Sequence, residues 1–228
     1  MGLFFNKYNI YTIVEYIQYI GIGFAMKISK PQKYNATVLF CDIRKFTTLF
    51  DEKPPEEAFS FANYVLSSLS KVIIKNKGTV DKIMGDGILA HFGITEPNNE
   101  HAKFACLCAL KILEEISIIN ANYYFLKKPI ISVGIGINTG DVVFGNITVG
   151  NKLVSSIYGD VVNTASKIEH LTRNFLVDVI SSESTFTACE NYFNFLELGK
   201  VHVTGKKNQQ TLYWLLPTNF SKDKKDIL

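Results

Sequence analysis

An α+β fold, with helices laid over a mostly antiparallel sheet, is the class predicted by the order in which strand-like and helix-like periodicities succeed one another. Three observations carry the prediction. The run Ala36-Thr-Val-Leu-Phe-Cys-Asp42 is short, apolar and β-rich, as a central strand is. Two apolar runs flank Gly85-Asp86-Gly87, the signature of a tight hairpin. Two longer stretches carry apolar residues every three or four positions, the period of a core-facing helix.

Taken in order, the first strand follows Pro31 and delivers Asp42 at its C-terminal end. Pro54 and Pro55 then open a helix, proline being pre-shaped for the first helical position. Ala58, Phe61, Ala62, Val65, Leu69, Val72 and Ile73 form its buried stripe, up to a stop near Gly78. Thr79 to Met84 and Ile88 to Phe92 make the hairpin, with Asp86-Gly87 expected to supply the positive φ angles and Asp86 presented at the tip. A second helix, from about Glu100 to Asn120, carries enough apolar residues, Ala105, Cys108 and Ile112 among them, to cover a sheet. Thr139-Gly140 reads as the turn between two further strands, Ile130 to Asn138 and Asp141 to Ile147. Past a glycine-marked loop at Gly150 comes the segment Ser155 to Lys167; a helix beginning near Asp160 sets Asn163 and Lys167 on one face. Ser182 caps a shorter helix, and Phe193 to Leu198 with Thr211 to Leu216 are the closing strands.

With 228 residues, 47% hydrophobic and 20% charged, the chain can bury one core and leave some residues over. It divides into an aromatic-rich helical segment or linker (1–33), one domain (34–217) and a charged tail (218–228). A net charge of +3 with scattered lysines, apart from the cluster Lys222, Lys224 and Lys225, argues against a nucleic-acid partner. Four cysteines without metal-ligand spacing fit a reducing cytoplasm. None of the four histidines stands in a pattern that carries chemistry. Polar residues Asn6, Lys7, Asn9, Glu15 and Gln18 interrupt Leu3 to Met26 before about 18 apolar positions accumulate, which argues against a spanning helix. Residues 3–26 are instead suited to pack on the domain, to meet a partner chain or sensor domain, or to lie on the cytoplasmic face of a membrane.

Asp42 at a strand end and Asp86 at a hairpin tip are oxygen ligands on rigid elements, as a hard divalent ion requires. Either one alone reads as readily as a helix cap or a turn former. Around them stand Phe40-Cys-Asp42-Ile43-Arg-Lys-Phe46-Thr47 and Asp81-Lys82-Ile-Met-Gly85-Asp86-Gly87-Ile-Leu-Ala90. Gly136-Ile-Asn-Thr-Gly140 and Gly159-Asp160-Val-Val-Asn163-Thr-Ala165-Ser166 follow. Four such motifs in this order, from about Ala36 to Trp214, resemble the class III adenylate and guanylate cyclase family.

The resemblance implies a ferredoxin-like palm that acts as a dimer, each active site being shared between two chains. It implies cyclisation of a nucleoside triphosphate with two Mg2+ or Mn2+ ions per site, held by Asp42, Ile43 and Asp86, and backbone amides from about Ile43 to Thr47, Phe46 included, facing phosphate oxygens. Lys82 and Ser156 match the base-selecting pair; a lysine there donates to adenine N1 and its partner accepts from the exocyclic amine, which favours ATP over GTP. Asn163 matches the residue that orients the ribose and Lys206 the lysine for the terminal phosphates. Lys167 stands where the family places an arginine at the α-phosphate, and lysine lacks the planar multi-donor fork. The leading expectation is a slow homodimeric adenylate cyclase. A nucleotide-binding regulatory or dimerisation module and a guanylate cyclase are the alternatives.

Overall fold

The computed structural model describes residues 30–125, 129–149 and 152–217. Residues 1–26, the Gly150 loop and the lysine cluster of the tail lie outside the described residues. Eight strands form one sheet in the order β2 (Thr79–Met84), β3 (Gly87–Phe92), β1 (Gln32–Ile43), β4 (Val133–Val149), β6 (Val179–Ser182), β8 (Gln210–Leu215) and β7 (Phe195–Val201), with β5 (Lys152–Tyr158) paired to β4. All pairings are antiparallel except that of β4 with β6, so the α+β expectation holds.

Strand β1 (Gln32–Ile43) lies between β3 (Gly87–Phe92) and β4 (Val133–Val149). It is buried on both faces, as its unbroken apolar run demands. Leu39, Cys41 and Ile43 face one core, under α2 (Pro55–Lys75) and α3 (His101–Phe125). Ala36 and Val38 face a second core with Val142, Ile157 and Ala165, under α4 (Asp160–Phe175). Pro55 opens α2 with Glu56 and Glu57 in its first turn and Lys75 in its last, each charge complementing the helix dipole. Helix α2 stops at Lys75, short of Gly78. A five-residue helix, α1 (Phe46–Phe50), follows β1 and has no periodicity long enough to betray it.

Thr139-Gly140 is not a turn. Strand β4 runs through it without a break, paired to β1 from Val133 to Phe144. Gly140 marks a close approach instead, since a Cβ there would lie 2.9 Å from Val161 Cγ2 on α4. Gly136 serves the same end more severely: its Cβ would fall 2.3 Å from the Ala165 carbonyl oxygen. Strands β5 (Lys152–Tyr158) and β6 (Val179–Ser182) were not legible as strands, whereas Ser182 does cap α5 (Glu183–Cys189) by accepting the Thr185 amide. Strands β7 (Phe195–Val201) and β8 (Gln210–Leu215) complete the sheet.

The five-strand run β2-β3-β1-β4-β5 coils until its ends meet. Asp81 on β2 (Thr79–Met84) accepts hydrogen bonds from the Ser156 hydroxyl at 2.6 Å and the Ile157 amide at 3.1 Å on β5.

Candidate active site

Asp42 and Asp86 come together because β1 and β3 pair with Asp42 opposite Gly87, the residue after Asp86. The Ile43 amide donates to the Asp86 carbonyl at 3.2 Å, which fixes the hairpin tip against the end of β1. The loop between β2 and β3 is Gly85-Asp86, and the positive φ belongs to Gly85 (+61°), at the first central position, as in a type II′ turn. Asp86-Gly87 therefore does not supply it, contrary to the expectation from the dipeptide. A Cβ on Gly87 would lie 3.2 Å from Asp42 Oδ1, so glycine keeps open the space before that carboxylate.

Burial and the charge of Asp86 raise the pKa of Asp42, and Arg173 pulls it back. Arg173, from α4, donates to Asp42 Oδ2 at 2.6 Å. Beneath this pair lies Glu169, whose side chain is 2% exposed. Burial pushes its carboxyl up to about 7, helped by the charge of Asp42 and opposed by His170, Arg173 and Arg44. Two neighbouring carboxylates, one already drawing a guanidinium, are a fitting donor set for a divalent cation. Among the described residues no group of three or more His, Cys, Asp or Glu side chains converges on a metal position. Ile43 is 1% exposed in the core, so only its main-chain carbonyl could join such a set.

A second group gathers around the first half of α4. Lys206 forms an ion pair with Asp160, and a Cβ on Gly205 would lie 2.9 Å from Lys167 Nζ, which brings Lys167 and Lys206 to one place. Asn163 is exposed on the same helix, one turn before Lys167. Lys82 and Ser156 also come together, as neighbours of the Asp81 contact; the Lys82 ammonium lies 5.7 Å from the centre of the Tyr158 ring. Phe46 and Thr47 open α1, beside the end of β1. The expected run of phosphate-facing amides is shorter than the sequence suggested, because Ile43 and Arg44 already donate to the Asp86 and Ser132 carbonyls.

The family model of the adenylate and guanylate cyclase catalytic domain matches residues 28–217. The chain belongs to that family. Adenylate cyclase 1 of Rhizobium meliloti is 27% identical over 181 residues, covering 79% of this chain and 27% of its own length. The adenylate cyclase of Anabaena cylindrica is 34% identical over 181 residues, 78% of this chain and 36% of its own. This cyclase domain therefore spans about a quarter to a third of these relatives. Among solved structures, the adenylyl cyclase CyaB from P. aeruginosa superposes with a TM-score of 0.77 at 25% identity, covering 86% of this chain and 99% of that one. The guanylyl cyclase Cya2 does so with 0.75 at 26%, over 86% and 98%.

Sequence reasoning gave no role to Arg173 or Glu169 in the cyclase domain, and quoted Asp81 only as part of a motif. Glu169 and Arg173 stand at i and i+4 on α4, a readable helix pair. No local pattern, however, could place them against Asp42 on a distant strand.

Proposed function

We propose that this chain is the catalytic domain of an adenylate cyclase, converting ATP to 3′,5′-cyclic AMP and pyrophosphate at sites shared between two copies. The observation that carries the reading is the pairing of β1 with the β2-β3 hairpin, which sets Asp42 and Asp86 close enough for their charges to interact, beside a space that Gly87 keeps open. The Rhizobium and Anabaena relatives, both adenylate cyclases, support it. So does Lys82, a donor suited to adenine N1 and unsuited to the N1 proton of guanine.

Spacing along α4 supports sites shared between two copies. Arg173 anchors the helix at Asp42, and at 1.5 Å per residue Lys167 lies about 9 Å and Asn163 about 15 Å further along the axis. A ribose attached to an α-phosphate at Asp42 would not reach Asn163 of the same chain across that span. A second copy brings its own Asn163, Lys167 and Lys206 to the first copy's Asp42 and Asp86, and a symmetric pair has two sites.

At such a site Asp42, Asp86 and the Ile43 carbonyl would hold two divalent ions, Mg2+ or Mn2+. When bound, these supply Lewis-acid polarisation of the phosphates and a lowered pKa for the ribose hydroxyl. Lys82 and Ser156 hold the adenine, Asn163 orients the ribose, and Lys206 leaves Asp160 to meet the terminal phosphates, with Phe46 and Thr47 of α1 beside them. The 3′-hydroxyl gives up its proton to solvent and its oxygen bonds to the α-phosphorus as the bond to the bridging oxygen breaks and pyrophosphate leaves. Lys167 offers the developing phosphorane a charge with a single direction of donation, where a guanidinium would offer a fork.

Product formation from ATP and GTP, in Mn2+ and in Mg2+, at several protein concentrations, tests the reading. Cyclic AMP that depends on Asp42, with specific activity rising with concentration, supports it; cyclic GMP as the main product moves the assignment to guanylate cyclase. Replacing Lys167 by Arg should raise turnover at least tenfold, since one preorganised donor is worth about 10²-fold. Nucleotide binding without turnover in either form would instead identify a regulatory module.

A further inference from the structure

Asp81 takes no part in the reaction just described, yet it is the clasp of the coiled sheet. It occupies a β-bulge, where the register of β2 slips between Val80 and Lys82, and the extra residue aims its side chain across to β5. Its Oδ1 accepts the Ile157 amide at 3.1 Å and its Oδ2 accepts the Ser156 hydroxyl at 2.6 Å. The amide contact decides which oxygen faces the serine.

A serine hydroxyl has one proton and two lone pairs, so left to itself it serves a donor or an acceptor equally well. Purines differ in that respect at one corner: adenine presents an amine, which donates, and guanine a carbonyl oxygen, which accepts. With its proton given to Asp81, the Ser156 oxygen can only accept.

We propose that Asp81 is a specificity-determining positioning residue. By taking the Ser156 proton it leaves an acceptor-only oxygen, which admits the adenine amine and repels the guanine carbonyl. This rests on the adenylate cyclase reading, in which Ser156 meets the base. Ser156 has no exposed surface in the free chain, so the base meets it only as the surrounding side chains part. Lys82 adjoins Asp81 on β2, and its ammonium lies over Tyr158, which shares the strand face of Ser156.

Asp81→Asn is the decisive variant. Its amide oxygen keeps the Ile157 contact, while its NH2 group now donates to Ser156 and frees the serine proton for a guanine carbonyl. Affinities for 3′-deoxy-ATP and 3′-deoxy-GTP, which cannot cyclise, should be measured with kcat/KM for ATP and GTP. The ATP to GTP preference should fall about tenfold or more, the scale of one polar contact turned from satisfied to opposed. In a Ser156→Ala background the same substitution should shift the ratio less than about twofold, because Asp81 acts through the serine. Should the single variant not fold, the swap Asp81→Asn with Ser156→Asp restores an acceptor-only group at 156 and should keep the preference for ATP. Equal loss for both nucleotides, a shift that persists without the Ser156 hydroxyl, or a swap that favours GTP would overturn the inference alone. A parent chain that binds neither nucleotide, or prefers GTP, overturns the adenylate reading and this inference with it.

Discussion

Replacing Gly136 by Ala would push a methyl group into the backbone of α4. The added Cβ would lie 2.3 Å from the Ala165 carbonyl oxygen, 2.4 Å from the Glu169 nitrogen and 2.8 Å from the Glu169 Cα. All three are main-chain atoms, so no rotamer change relieves the overlap, and α4 must back away from β4 by about 1 Å. Overpacking of that kind costs about 3 kcal/mol or more. For a domain of this size each kcal/mol lowers Tm by about 2–4 °C, so a fall of about 6–12 °C is expected. Thermal unfolding without metal measures it. Gly134→Ala is the internal control: its Cβ meets the Glu169 Oε1 and Thr172 Oγ1 ends at 2.5 Å, and side-chain ends can move, so its loss should be smaller. Activity should fall further than the folded fraction at the assay temperature, because the same helix carries Asn163, Lys167 and Arg173, and a 1 Å displacement can cost about 10²-fold. A Gly136→Ala variant that melts within about 1 °C of the parent would refute the close approach of α4 to β4 and the positioning argument built on it.

Glu169→Gln should change how stability depends on pH. A carboxyl held at about 7 in the folded chain and near 4.3 when unfolded takes up a proton on folding in that window, so the unfolded state binds fewer protons. Stability should therefore fall as pH rises from about 4.5 to 7, by 1–3 kcal/mol in order of magnitude, and level off above. Urea midpoints of the parent and the Glu169→Gln variant, measured without metal, should diverge across that window; parallel curves would reject the assignment. Arg173→Ala removes the cation that Asp42 holds in the free chain. The variant should melt lower in chelator yet gain more from Mn2+ than the parent does, since the ion no longer competes with a guanidinium. An equal or smaller metal-induced shift in melting would count against that competition.

What the sequence made legible is what local chemistry controls. A short apolar, β-rich run after a proline reads as an inner strand, prolines and a 3.6-residue stripe define α2, and a glycine-flanked aspartate between apolar runs reads as a hairpin tip. Those three features are enough to put Asp42 and Asp86 in place. Gly140 misled because glycine has two uses, freedom of φ and absence of a side chain, and only the partner element tells them apart. Strand β6 is four residues long and α1 five, too short for either period to register. Arg173 and Asp81 act across 131 and 75 positions of sequence, respectively, and long-range pairing of that kind leaves no local trace.

The unbroken pairing of β1 with β4 bears on how the domain forms. Its twelve register pairs, from Gln32 with Phe144 to Ile43 with Val133, join residues ~100 positions apart. Closing so long a loop costs entropy before any contact repays it, so folding should be slow and late in its commitment. Each half of the chain holds strands that pair among themselves, β2-β3-β1 before α3 and β4 to β8 after it, and only the β1-β4 pairing joins the two arrays into one sheet. A nascent chain released before β4 emerges would expose the apolar faces of β1 and α3, which makes it a substrate for chaperones and an aggregation hazard.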